Sequence, residues 1–345
     1  MMQHEIMECG PLLNERGELA QRGFARRPLL DYNPENVRVS RFGFWNRLRL
    51  KEWDYYGITT HDWFLGTAVS HAGFAGVVFV YFIDFAVGTI EEGLVVTPLG
   101  RGCRLPRQST EGDVAFRGGG VSLHFQREAE SRTLRIDWPR LKSGRALHLE
   151  ANLAHPTGWE SIVMATPIGE RGFYYNEKIN CLAARGELTV GERRFTLEPD
   201  SAAGTIDWGR GVWAYRTFWN WASASGRLPN GTPFGLNLGS GFGDLSAATE
   251  NCFFLDGRLH KIGWVNIRYN PGDYLQPWRF TDEEGRLDLT LHPIYDRIDK
   301  TEMGIVASQA HQVFGRYEGR VVTDEGKTVG VRDLTGWAEE VRNRW

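Results

Sequence analysis

Apolar and polar residues alternate with a period of two along much of the chain, and each alternating run ends in turn-forming residues. Residues 61–70 (HDWFLGTAVS), 121–128 (VSLHFQRE), 133–139 (TLRIDWP) and 146–153 (ALHLEANL) follow this pattern in the first half. Residues 187–199, 233–241, 251–270, 285–293 and 311–334 continue it in the second. Successive strand side chains point to opposite faces, so such runs describe strands with one buried face. Gly191-Glu192, Leu255-Asp256-Gly257-Arg258 and Asp324-Glu325-Gly326-Lys327 provide hairpin turns between them. Short strands at this spacing predict an all-β antiparallel sandwich or barrel rather than a parallel α/β fold. Residues 41–60 also read as extended, with Arg47, Arg49 and Lys51 opposite Leu48 and Leu50. Residues 73–88 (GFAGVVFVYFIDFAVG) read as a buried strand; the run is too short for a membrane-crossing helix, and Asp84 interrupts it. One segment departs from the pattern. Leu334, Trp337, Ala338 and Val341 at helical spacing predict a short C-terminal helix, with Trp345 packed back. The similar rhythm of the two halves predicts two domains, 1–185 and 186–345.

Composition narrows the classes of function. With 345 residues, 41% of them apolar and 24% charged, the chain can bury a core in each of two domains. Its net charge of −3 is spread over scattered charges of both signs, which argues against a nucleic-acid binder built on a basic stripe. The 41 glycines and 13 tryptophans fit tight turns around an aromatic-lined interior. The N-terminal stretch lacks the basic and apolar blocks of a secretory signal. Cys9, Cys103, Cys181 and Cys252 lie far apart, and read as reduced packing residues of a cytoplasmic protein. No HExxH, HxH or clustered Cys/His set occurs, and neither GxSxG nor a strand-borne GxGxxG is present. Neither a metal nor a cofactor is therefore expected.

The chemistry gathers around residues 205–226, TIDWGRGVWAYRTFWNWASASG. Trp208, Trp213, Trp219 and Trp221 stand there among Asp207, Arg210 and Arg216. Read as a strand over 212–223, this stretch puts Trp213, Trp219 and Trp221 on one face and Arg216 and Asn220 on the other, as in a barrel wall lining a ligand cavity. The glycines of DWGRG suggest a bend across which Asp207 and Arg210 pair, either as a structural ion pair or as a site. Asn237 between Gly235 and Gly239 implies close approach by a strand or a ligand. Glu250 stands before an apolar strand, where a turn role competes with a catalytic one. His311 opens another strand, and His71 sits among small apolar residues. Tyr175, Asn176 and Lys178 come from a polar run, YYNEKIN.

Long phrases spread over nearly the whole chain resemble a bacterial family catalogued as domain of unknown function 2804. They include CGPLLNERGELAQRGFARRPLLDYNP, WDYYGITTHDWFLG, FYYNEKINCL, DWGRGVWAYRTFWNWASASG, GLNLGSGFGD, ATENCFFLDGRLHKI, YLQPWRF and HQVFGRYEG. More distantly, the strand rhythm and the DWGRG region are similar to tandem lipocalin-like proteins that include carotenoid hydratases and polyketide cyclases. That resemblance implies two β-barrel-like domains with a ligand cavity at or between them. Three functions fit. The first is a lyase, hydratase, isomerase or cyclase acting on an apolar small molecule of lipid or terpenoid type. In it Asp207, Glu250 or His311 would supply the acid or base, and tryptophan faces would steady a cation. Tyr175, Asn176, Lys178, Arg210, Trp219, Asn220, Trp221, Asn237 and His71 would line the substrate. The second is a carbohydrate-active enzyme with paired carboxylates and stacking tryptophans. The third is a non-catalytic lipid or terpenoid binder. In each case the partner is a small molecule, with no nucleic acid and no integral membrane segment.

Overall fold

A computed structural model describes residues 3–303 and 306–344. The alternating runs form two curled antiparallel sheets in tandem. Among the described residues the first has 14 strands, with Leu50–Thr59, Ala203–Val212, Gly172–Val190 and Leu147–Ala154 side by side at its centre. The second has nine, centred on Pro233–Ser240, Arg216–Arg227, Thr328–Arg344 and Val306–Val322. The period of two gives every strand two faces with separate duties. In the first sheet Tyr56, Leu65, Val78, Phe125, Leu149 and Ile206 turn inward to a core enclosed by that sheet's own curl. In the second, Leu236, Phe253, Phe280, Leu289 and Val313 do the same. The other faces of the two sheets pack against each other through Tyr55, Phe64, Tyr81, Trp221, Phe314 and Trp337.

The hairpins fall where the turn residues placed them. Val190 pairs with Arg193 around Gly191, at φ +61°. Leu255 pairs with Arg258 across Asp256 and Gly257, both at positive φ. The chain passes between sheets at residues 213–215, which lie outside the strands. The cut expected at 185/186 lies inside the strand Gly172–Val190. That strand pairs with Ile162–Ile168 through its first half and with Leu147–Ala154 through its second, so residues up to Val212 continue the first sheet.

Three local expectations are corrected. The C-terminal segment is not helical, because Thr328–Arg344 is a strand paired on both sides. Leu334 and Ala338 enter the second sheet's core while Trp337 faces the first sheet, so burial of both faces imitates helical spacing. Trp345 lies outside the described residues. Residues 43–49 are a helix instead of a strand. Strand pairing begins only at Leu50, opposite Val212. The strand expected over 212–223 is broken at 213–215, where the ladder to Leu50–Thr59 ends and the ladder to Thr328–Arg344 has yet to begin. All four cysteines are free, and Cys181 and Cys252 pack together with Met164 and Phe254 in a core cluster.

Candidate functional site

The seam between the sheets is where polar chemistry gathers. On the strand Gly172–Val190, Asn176, Lys178 and Asn180 share one face. The neighbouring Ala203–Val212 adds Thr205 and Asp207 to it, since Asp207 stands opposite Lys178 in register. DWGRG is thus a buried, regular strand segment and not a bend. Its glycines serve close packing: a Cβ on Gly209 would lie 2.3 Å from the Trp53 ring, and one on Gly211 would lie 2.4 Å from the Phe173 carbonyl. The second sheet contributes Trp219, Trp221, Ser223 and Ser225 from one strand and Asn237 from the next.

Charges meet at Lys178. Its Nζ lies 3.7 Å from Asp207 Oδ2, 3.5 Å from Glu250 Oε1 and 3.9 Å from the centre of the Trp221 ring. The second oxygen of Glu250 accepts a 3.0 Å hydrogen bond from Asn176 Nδ2. Glu250 reaches the seam from the loop before Cys252–Leu255 because Gly239 leaves room; a Cβ there would meet Glu250 Oε1 at 2.1 Å. Asn237 orients the neighbourhood, accepting from Trp221 Nε1 at 2.7 Å and donating to the Glu250 carbonyl at 3.1 Å. Asn180 fastens the sheets further along through Ser223, Ser225 and two carbonyls.

Burial raises the pKa of Asp207, against the pull of Lys178 and the polar groups of Trp53 and Tyr174. Asp207 Oδ1 nevertheless has no hydrogen bond of ordinary geometry, though it is sealed from solvent. Burial likewise raises Glu250, with Lys178 opposing and Asp207 adding to the rise. A third acid, Glu339, accepts from Trp219 Nε1 at 3.0 Å and from Gln312 Nε2 at 3.3 Å. Burial pushes it up to about 7, with the Trp219 hydrogen bond and Lys178 resisting. Gln312 continues the chain, accepting from the Tyr81 hydroxyl, which lies 2.9 Å from that of Tyr55.

Around Asp207 the rings close in. Tyr174 and Trp213 centroids are 4.6 Å apart, Trp53 and Tyr174 are 5.5 Å apart, and Trp213 and Trp219 are 5.9 Å apart. Phe242 stands edge-on to Tyr174. The indole N–H of Trp213, like Asp207 Oδ1, is buried without a partner. Trp213 and Phe242 stand on loops between strands, whereas Trp53 and Tyr174 stand on strands. Two cavities lie elsewhere in the structure. One of about 60 Å³ is bordered by Trp159, Cys181, Pro199 and Arg227. The other, open and about 410 Å³, is bordered by Arg104, Arg107, Glu111 and Asp113.

Of the residues singled out from the sequence, Asp207, Glu250, Asn176, Lys178, Trp219, Trp221 and Asn237 meet in this seam. The others do not. Arg210 points to the opposite face of its strand from Asp207, so the expected pair is absent. It is fully buried against Asp54 at 2.8 Å and the carbonyls of Trp53, Gly209 and Pro106. Tyr175 also faces that way, donating to the Leu30 carbonyl and packing edge-on to Trp208. His71 ends its strand, held by Gly73 N–H and the Leu99 carbonyl. Asn220 bonds Tyr269 and the Glu339 carbonyl on the inner side of the second sheet. His311 pairs with Asp296 at 2.9 Å and stacks on Tyr274, with centroids 3.9 Å apart. Glu339, Gln312 and Trp53 escaped the sequence reading, whereas Tyr174 shares the polar face of YYNEKIN with Asn176 and Lys178. Glu339 was hidden by the helical reading of its segment; as a strand, that segment puts the acid on one face with Trp337 and Val341. Among the described residues no group of three His, Cys, Asp or Glu could hold a metal ion, and no helix is long and apolar enough to cross a membrane.

Solved structures share the tandem arrangement. CghA, solved with Sch210972, aligns with a TM-score of 0.56 at 12% identity, over 86% of this chain and 88% of its own. Kievitone hydratase from Nectria haematococca aligns with a TM-score of 0.54 at 11% identity, again over 86% and 88%. At such identities the likeness is one of fold. No curated protein matches the sequence. A family model does, from residue 3 to residue 345, and the chain belongs to that family, described as domain of unknown function (DUF2804).

Proposed function

We propose that the seam is the active site of an enzyme that performs acid/base chemistry on a largely apolar small molecule. The observation that carries this reading is Asp207. It is a carboxyl held toward its protonated form by burial, with one buried oxygen that makes no hydrogen bond of ordinary geometry, inside a shell of Trp53, Tyr174, Trp213 and Trp219. A buried polar atom without a partner costs stability unless something else satisfies it. A neutral carboxyl in an apolar shell is suited to protonate an alkene. The proton would leave Asp207 for one alkene carbon, and the aromatic faces would stabilise the cation at the other. Water could then add, returning a proton to the Asp207 carboxylate; loss of a neighbouring proton would give an isomer, and attack by a second alkene would close a ring. Glu250 and Lys178 would set the charge around Asp207, and Asn176 and Asn237 would hold Glu250 in place. Trp221 is a poorer cation partner than the sequence suggested, since Lys178 already occupies its face.

The names of the structural neighbours agree with this reading, one being a hydratase and another having been solved with Sch210972. The sugar-hydrolase alternative fares worse: Asp207 and Glu250 share one ammonium group between them, where a glycosidase would need its substrate. Entry to the seam would come from movement of the loop-borne Trp213 and Phe242. Native mass spectrometry of protein purified from its own host would identify a retained apolar ligand. Asp207→Asn should then lower turnover of that ligand by about 10²–10⁴-fold. Unchanged turnover would remove Asp207 as the acid.

A further inference from the structure

The helix Gly43–Arg49 is built inside out. Its one buried residue is Asn46, whose amide donates to the Val37 carbonyl at 2.8 Å and accepts from Ser40 N–H at 2.7 Å. Its aromatic residues, and Phe42 just before it, face solvent: Phe42 is 68% exposed, Phe44 64% and Trp45 55%. At about 100° per residue, Phe44, Trp45 and Leu48 share one arc of the helix, Arg47 and Arg49 flank that arc on its two sides, and Asn46 lies opposite. Phe74 and Leu99 extend the apolar surface: Gly73 abuts the Leu48 carbonyl, and Leu99 N–H bonds the Phe74 carbonyl.

A helix on a globular protein normally turns its apolar stripe to the core. Here a single asparagine anchors the underside, and the stripe is presented outward. Cations predominate in the sequence around it. Residues 36–51 (NVRVSRFGFWNRLRLK) hold five cations and no acid, in a chain whose net charge is −3. Arg38, Arg41, Arg47 and Arg49 are all exposed. Large aromatic rings flanked by arginines match the boundary between lipid headgroups and acyl chains, where rings insert and cations meet phosphate.

We propose that this helix, with Phe42 before it and Phe74 beside it, docks the protein on an anionic phospholipid surface. The docking is peripheral, with the rings entering the headgroup boundary and the arginines contacting lipid phosphates. Arg49 also donates to the Trp213 carbonyl at 2.8 Å, so the docked helix is tied to the loop that carries a ring of the seam. The proposal does not depend on the reaction assigned to the seam.

The test is sedimentation of the full chain with vesicles of phosphatidylcholine alone, or of phosphatidylcholine mixed with phosphatidylserine. The protein should sediment with the mixed vesicles, stay in solution with the neutral ones, and be released by high salt. Phe44→Ser combined with Trp45→Ser should weaken binding about tenfold or more, as lost insertion dictates. Arg41→Glu combined with Arg47→Glu should do the same through charge. Because these four exposed positions carry little of the core, unchanged thermal melting should accompany both variants, and each checks the other if one folds poorly. Wild-type protein that ignores anionic vesicles, or binding that neither variant weakens, overturns the proposal. So does self-association abolished by Phe44→Ser and Trp45→Ser, which would assign the face to a second copy of the chain.

Discussion

Replacing Glu339 by glutamine tests the electrostatics of the seam most directly. A glutamate held at about 7 instead of 4.5 is protonated in the folded chain under conditions where the unfolded chain has ionised it. At 1.36 kcal/mol per unit, such a rise amounts to about 3 kcal/mol. For a raised carboxyl the sign is fixed. Its stabilising contribution is fully present below the unfolded value and is lost as pH rises from about 4.5 through about 7. Glutamine carries no proton to lose, so it removes that dependence. It can also keep the local contacts: its oxygen can accept from Trp219 Nε1, and its amide can donate to Gln312 if that side chain turns over. Tyr81 could then accept from Gln312 while donating to Tyr55. Urea unfolding of both proteins between about pH 5 and pH 8 should show the variant gaining about 2–3 kcal/mol on the wild type as pH rises. Asp207, whose charge adds to the rise of Glu339, is present in both proteins, so the difference reports Glu339 together with its coupling to Asp207. A stability difference that stays flat with pH, or that grows toward acid, would refute the reasoning.

Arg210→Lys should cost about 3 kcal/mol in urea unfolding, because one ammonium cannot span Asp54 and the three carbonyls that the buried guanidinium joins. A near-neutral result would show that charge alone matters there. Gly209→Ala should cost about 1–3 kcal/mol and change the near-ultraviolet circular dichroism, since its Cβ would intrude on the Trp53 ring. An unperturbed spectrum with unchanged stability would mean that the ring has room to move.

The all-β class, the hairpins at Gly191 and Asp256-Gly257, and the buried strand in 73–88 were legible in the sequence because they rest on local rules. Alternation and turn chemistry operate over a few residues and need no partner. Half of the candidate site was legible for a similar reason: acids, amides and rings that interrupt apolar strands must face something. What they face was not legible. Asp207 and Arg210 are three residues apart, and the pleat sends them to opposite faces, one to Lys178 and the other to Asp54. Glu250 and Glu339 join Asp207 through strand order and through glycines that admit a neighbour, and both are long-range facts. The last strand misled by its composition, because burial on both faces erases alternation. So did residues 43–49, whose apolar positions follow neither a strand's pairing nor a core-facing helix. The sequence by itself determined which segments extend and where they turn. Only the tertiary structure decided which face of each strand meets its own core and which meets the other sheet, because that choice depends on how each sheet curls and which strands it brings together.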